Sequence, residues 1–140
     1  MRSLVVGYGS IGQRHARILA DISRTEVAVV SRRDISIPYR SFPDMVSGLA
    51  EWAPDYVVIA SGTHEHFADI GCLAEVDYRG KVLIEKPLFR TNAEVETKIP
   101  NPEGAFIGYN LRFHPLIALL PNHRKAHLIR PHYVFYSQPY

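Results

Sequence analysis

Leu4-Val5-Val6-Gly7-Tyr8-Gly9-Ser10-Ile11-Gly12 is the run that decides how this chain is read. Three apolar residues, Leu4 to Val6, stop at a glycine-rich turn. Beyond it Ile11, His15, Ile18 and Leu19 recur at helical spacing, with Arg14 and Arg17 left for solvent. Strand, G-x-G-x-x-G, helix is the order a dinucleotide site requires. Gly7 permits the sharp turn, Gly9 lets backbone approach a pyrophosphate, and Gly12 lets the helix pack close to the strand. The anion would then rest on free N–H groups at a helix start, where the dipole favours negative charge. Glycine-rich turns are common, so the competing reading is a tight turn that binds nothing. Its position between a strand and a helix gives the motif its specificity.

The rest of the composition sets bounds. The chain has 140 residues, and a domain of that size buries about two-thirds of its unfolded surface. Hydrophobic residues at 46% and charged residues at 21% are ordinary for a globular protein. A net charge of +2 is too small to argue for nucleic acid or an anionic membrane. No apolar run is long enough to span a bilayer. Met1-Arg2-Ser3 leads straight into a strand, unlike a signal peptide. Cys72 is the only cysteine, which excludes an internal disulfide and argues against a thiolate zinc site. A cytoplasmic setting is expected.

Outward from the first helix, Glu26 to Ser31 reads as a strand buried on both faces, the pattern of a parallel sheet. A site preferring NAD places Asp or Glu about 20 residues past the glycines, to hold the ribose 2′-hydroxyl. This chain has Ser31-Arg32-Arg33 there, with Asp34 one or two residues late. A hydroxyl and guanidinium groups suit a 2′-phosphate, which points to NADP over NAD. The same arginines would equally make a solvated turn. Residues 34–43 carry two prolines and no period, so they read as loop. Asp44 reads as the N-cap of a short helix through Trp52. Asp55 to Ala60 is a third strand, and Thr63 reads as the cap of a helix from His64 to about Glu75. Lys81 to Ile84 makes a fourth strand and Gly104 to Tyr109 a fifth, with a short helix at 92–98 between them. A helical stretch at 116–120 and a strand at 128–136 complete the pattern. Strands alternating with helices make an α/β fold with a mainly parallel sheet.

From Gly104 onward there is no Asp or Glu, while Arg112, Arg124, Lys125, Arg130 and four histidines lie there. This basic segment is either a solvated surface, a wall for an anionic substrate, or a contact with another chain.

In an open parallel sheet, ligands bind outside the carboxyl ends of the strands. That edge collects the glycine turn, Ser31-Arg32, Ser61 to His66, Glu85-Lys86-Pro87 and Asn110 to His114. Lys86 is the candidate acid, base or hydrogen-bond donor toward a substrate hydroxyl or carbonyl, with Glu85 as its orienting carboxylate. The competing reading of Glu85 and Lys86 is a surface ion pair. His64 and His66 either contact the cofactor or cap and pack. Two histidines two residues apart, without a third ligand, do not make a metal site.

Gly7 to His15, Thr63-His64-Glu65-His66, Glu85-Lys86-Pro87 and Gly108-Tyr109-Asn110-Leu111-Arg112-Phe113-His114-Pro115 occur in order and at suitable spacing. Together they resemble the N-terminal half of the glucose–fructose oxidoreductase / inositol dehydrogenase / MocA (Gfo/Idh/MocA) family, over residues 2–137. The resemblance implies a Rossmann-like parallel sheet with helices on both faces. It also implies pyridine-nucleotide-dependent hydride transfer on a sugar, sugar-nucleotide or inositol-like hydroxyl or ketone, with Lys86 matching the catalytic lysine. The expected nucleotide-binding residues are Gly7, Gly9, Ser10, Ile11, Gly12, Ser31, Arg32, Ser61, Thr63, His64, His66, Glu85, Lys86, Asn110 and Arg112. Family members continue into a second α/β domain that carries substrate contacts, an Asp/His pair and the oligomer interface. The expectation is therefore a dinucleotide-binding domain over 1–112 and the truncated start of a second α/β domain over 113–140. Three readings follow: a piece of a longer enzyme, a short subunit completed by a partner or second copy through strand 128–136, or a nucleotide-binding module without turnover.

Overall fold

The computed structural model describes residues 1–21, 25–33, 36–91, 99 and 101–109. In chain order they form β1 (Arg2–Val6), α1 (Ser10–Asp21), β2 (Glu26–Val30), β3 (Arg40–Phe42), α2 (Met45–Trp52), β4 (Tyr56–Ile59), α3 (His66–Glu75), β5 (Lys81–Ile84) and β6 (Ala105–Ile107). The six strands make one parallel sheet in the order β3-β2-β1-β4-β5-β6. The chain works outward from β1 in one direction, then returns and works outward in the other. The switch point therefore lies between β1 and β4, where open α/β sheets bind ligands.

Strand period explains the two cores. In β1, Leu4 and Val6 face one side of the sheet and Val5 the other. The parallel register aligns Leu4 with Ala28 and Val57, and Val5 with Val29 and Val58. On one face Leu4, Val6, Val30, Val57 and Ile59 pack with Met45 and Leu49 of α2 and Ile70 and Leu73 of α3. On the other, Val5, Val27, Val29 and Val58 pack with Ala16 and Leu19 of α1. Helices thus cover both faces, which is why the strands read as continuous apolar runs rather than alternating ones.

Four local expectations need correction. Residues 34–43 are not all loop: Arg40-Ser41-Phe42 pairs with β2 as an edge strand, with Phe42 alone buried. Three residues are too short to carry a period. Arg40 lies over the Phe42 ring at 4.9 Å and the Trp52 ring at 5.7 Å, and donates to Glu51 Oε2 at 3.0 Å, which ties the edge to α2. Ile11 is 46% exposed, because α1 meets the sheet through Gly12, Ala16 and Leu19. Thr63 does not cap α3, which begins at His66 after a turn; Glu65 holds the cap position without a side-chain cap bond. Asp55 and Ala60 flank β4 rather than belonging to it. Asp44 does cap α2, its Oδ1 accepting from the Ser47 N–H at 2.8 Å. The expected elements at 92–98, 116–120 and 128–136, and the boundary at 112/113, lie outside the described residues. Among the described residues no helix is long and apolar enough to cross a membrane.

Tyr78 closes the far end of the sheet. Its ring is buried and its hydroxyl donates to the Pro54 carbonyl at 3.1 Å. Burial, and secondarily Asp55, push the phenol well above its usual value, so it stays a donor throughout the accessible pH range. Tyr78→Phe strands that carbonyl and is expected to cost about 1–3 kcal/mol in urea denaturation. Retention of native stability would show that the bond contributes nothing.

Candidate functional site

The strand ends at the carboxyl edge are pinned by bonds that run one residue past the strands. Gly7 N–H donates to Val30 O at 3.0 Å, Ser31 N–H to Phe42 O at 3.0 Å, Ala60 N–H to Val6 O at 2.8 Å and Glu85 N–H to Ile59 O at 2.9 Å. Each chain exit, where candidate side chains begin, is therefore held by the sheet.

Gly7 adopts φ +88°, and a Cβ there would lie 2.6 Å from backbone atoms of Ser61. A Cβ on Gly12 would lie 1.9 Å from the Gly7 carbonyl oxygen. The turn is thus wedged between β4's exit and α1, and neither contact can yield because both involve backbone. Gly9 differs: a Cβ there would meet nothing within 4 Å. Its bare backbone faces open space, as a pyrophosphate cradle requires.

That space is a cleft of about 660 Å³, bounded by Gly7 to Ser10, Ser31 to Arg33, Pro43 to Met45, Ser61, Gly62, His64, Glu65, Ala68 and Asp69. The volume lies within the usual range for ligand pockets. Of the residues expected from sequence, Gly7, Gly9, Ser10, Ser31, Arg32, Ser61 and His64 line it together. Gly12 serves by packing. Ile11, in the first turn of α1, and Thr63, in the turn before α3, do not line the cleft. Asn110 and Arg112 lie outside the described residues.

His66 is a correction. It is 1% exposed and lies beneath the site rather than in it. Nδ1 sits 3.0 Å from Pro87 O and 3.2 Å from Leu88 O, and Nε2 sits 3.3 Å from Ser61 O. Its role is to tie the β4 exit to the turn that follows Lys86. Glu85 is a second correction. It does not orient the Lys86 side chain; its Oε1 lies 2.7 Å from His15 Nε2 on α1. Its other oxygen accepts only the Lys86 backbone N–H, at 3.3 Å. The Lys86 side chain is exposed and meets no partner among the described residues, so it is not buried here. The Lys86–Pro87 peptide is cis.

Two carboxylates escaped the sequence reading. Glu65 accepts from Arg32 Nη2 across the cleft. Asp69, one turn further on α3, accepts from the Ser61 hydroxyl at 2.5 Å. Their i, i+4 spacing just past a strand exit was the available signal. Glu65 thus brings a carboxylate to β2's exit from the start of α3. Burial pushes the Asp69 carboxyl up, against the Ser61 bond and with help from Glu65.

A family model described as "Oxidoreductase family, NAD-binding Rossmann fold" matches residues 1–99. The chain belongs to the Gfo/Idh/MocA family. Among solved structures it is similar to the UDP-N-acetylglucosamine 3-dehydrogenase GnnA from Acidithiobacillus ferrooxidans, at 28% identity and TM-score 0.67, covering 90% of this chain and 41% of that one. It is similar to a probable dehydrogenase from Thermotoga maritima at 25% identity and TM-score 0.69, covering 81% and 37%. The myo-inositol dehydrogenase from Lactobacillus casei, in complex with NAD(H) and myo-inositol, shares the fold at 21% identity and TM-score 0.64, covering 84% and 39%. The chain therefore spans 37% to 41% of the length of these relatives. No curated protein matches it. The cleft fits the family's NAD: Gly7 to Ser10 would hold the pyrophosphate at the α1 N-terminus, and β2's exit the adenosine ribose.

Asp69 yields a test of the electrostatics. Its folded-state value lies above the ordinary 3.8, so the folded chain holds this proton more tightly than the unfolded chain. The resulting stabilisation is full below 3.8 and is lost as pH rises through the raised folded value. Asp69→Asn is expected to remove that loss while keeping an acceptor for Ser61. Parallel stability–pH curves for the variant and the native chain would contradict the assignment.

Proposed function

We propose that the chain forms the cofactor-binding half of an NAD(P)-dependent oxidoreductase acting on a sugar, sugar-nucleotide or inositol-like hydroxyl or ketone. The observation that carries this is a cleft that gathers Gly7 to Ser10, Ser31-Arg32, Ser61, Gly62 and His64 around the unfilled Gly9 position. Backbone N–H groups at the start of α1 bind and orient the diphosphate. Ser31 and Arg32 favour NADP at the ribose, through a hydroxyl and a cation in place of the usual acid. The nicotinamide supplies or accepts the hydride when bound. Lys86 is the group that holds or moves the substrate's hydroxyl proton at Nζ.

Glu85, braced by His15, fixes the backbone from which Lys86 projects. An exposed lysine does little general acid–base chemistry until water is excluded around it, and the remaining wall comes from further protein. This same exposure favours one alternative: a nucleotide-binding module or subunit whose site is completed by a partner chain. That contact is made through residues 128–136 with a second copy or partner subunit, in a cytoplasmic setting and without nucleic acid or membrane.

Fluorescence titration with NADPH and NADH, followed by mixing with sugars and sugar nucleotides, separates the readings. For the enzyme, Lys86→Ala is expected to lower kcat by about 10²–10⁴-fold with nucleotide affinity held within a few-fold. Binding without turnover, indifferent to Lys86→Ala, identifies the module instead. Light scattering at tens of micromolar is expected to show a dimer or larger assembly. A single monomeric species overturns the assembly part of the proposal.

A further inference from the structure

We infer that Glu65 is a specificity-determining residue of the nucleotide cleft, competing with a 2′-phosphate for the Arg32 guanidinium. The inference rests on reading β2's exit as the site for the cofactor's adenosine ribose, and it adds a residue from the opposite wall.

The two partners differ in how they are held. Glu65 belongs to the turn before α3: its N–H donates to Gly62 O at 2.7 Å, and its own carbonyl accepts from Asp69 N–H at 2.9 Å. Its Oε2 accepts the Gly62 N–H at 3.2 Å, leaving Oε1 for Arg32. The carboxylate is therefore fixed by its own turn and is only 28% exposed. The Arg32 side chain is 76% exposed and is the more solvent-facing member of the pair. An arginine that would grip a phosphate with two parallel N–H groups already gives one Nη to a carboxylate.

The cleft holds charges of both signs around the pair. Arg33 stands beside Arg32 on β2's exit, while Asp44 and Asp69 line the same cleft with Glu65. Asp69 turns toward Ser61 and Asp44 caps α2, so Glu65 is the carboxylate engaged with Arg32 among the described residues. A half-exposed pair of this kind contributes little to folding. Its consequence falls on selection: a 2′-phosphate must displace Glu65 and then lie near its charge, whereas a 2′-hydroxyl need do neither. Glu65 thus restrains the NADP preference that Ser31 and Arg32 create, and keeps NAD admissible.

The test measures Kd for NADPH and NADH on the full chain, for the native protein, Glu65→Gln, Arg32→Gln and the double variant. Glu65→Gln keeps an oxygen acceptor for Gly62 N–H. It is expected to raise the NADPH-over-NADH affinity ratio by about threefold to fivefold, with NADH affinity unchanged within about twofold. The same substitution is expected to move the ratio less in the Arg32→Gln background. Glu65→Ala, measured alongside with circular dichroism as a folding check, should shift the ratio in the same direction. An unchanged ratio in both Glu65 variants, while Arg32→Gln lowers it, overturns the role of Glu65 and leaves the NADP reading standing. If Arg32→Gln also leaves the ratio unchanged, or if neither nucleotide binds, both fall. A ratio that rises only because NADH binding weakens overturns the competition and makes Glu65 the ribose-binding carboxylate.

Discussion

The contact between Gly7 and the backbone at Ser61 is the constraint on which the rest depends. It brings the exit of β1 against the exit of β4 with no side chain between them. Gly12 closes the other side, its missing Cβ replaced by the Gly7 carbonyl. With the turn wedged from both directions, α1 starts at one place and points its free N–H groups into one cleft. Parallel strands on either side then supply walls, because every strand of this sheet ends at the same edge. A methyl group at either glycine would move the anion site before it moved anything else.

Polar ties between exits bind the edge into one unit. His66 joins Ser61 to the turn after Lys86, and Glu85, at the exit of β5, is tied to α1 through His15. Neither histidine lines the cleft; both hold the segment that carries Lys86. The Glu-Lys-Pro sequence accordingly divides its labour, with the acid used inward for scaffolding and the lysine directed outward. Lys86 itself is exposed, on a side that the described residues do not enclose.

Charge at the cleft follows from the same geometry. Read along the chain, β2's exit is cationic on balance, since Arg32 and Arg33 follow Ser31 before the single Asp34. Folding places Glu65 opposite and pairs it with Arg32, which offsets one of those positive charges. Asp69 comes along because it is one helical turn away, and burial pushes its carboxyl up.

The sheet, its parallel sense, the helices on both faces, the glycine turn and the Asp44 cap were legible in the sequence because each depends on local spacing. Apolar runs of four or five residues, a G-x-G-x-x-G between strand and helix, and an acid before a helical period are short-range patterns. The edge strand at Arg40–Phe42 was not legible: three residues with one buried ring carry no period, and pairing to β2 alone makes them a strand. Nor were the partners of Glu65, Glu85 and His66, which lie 33, 70 and 21 residues away in the chain. Sequence alone determined which residues stand at the strand exits. Only the tertiary structure decided which of them face the cleft, because that depends on distances between exits, set by the order in which the strands lie side by side.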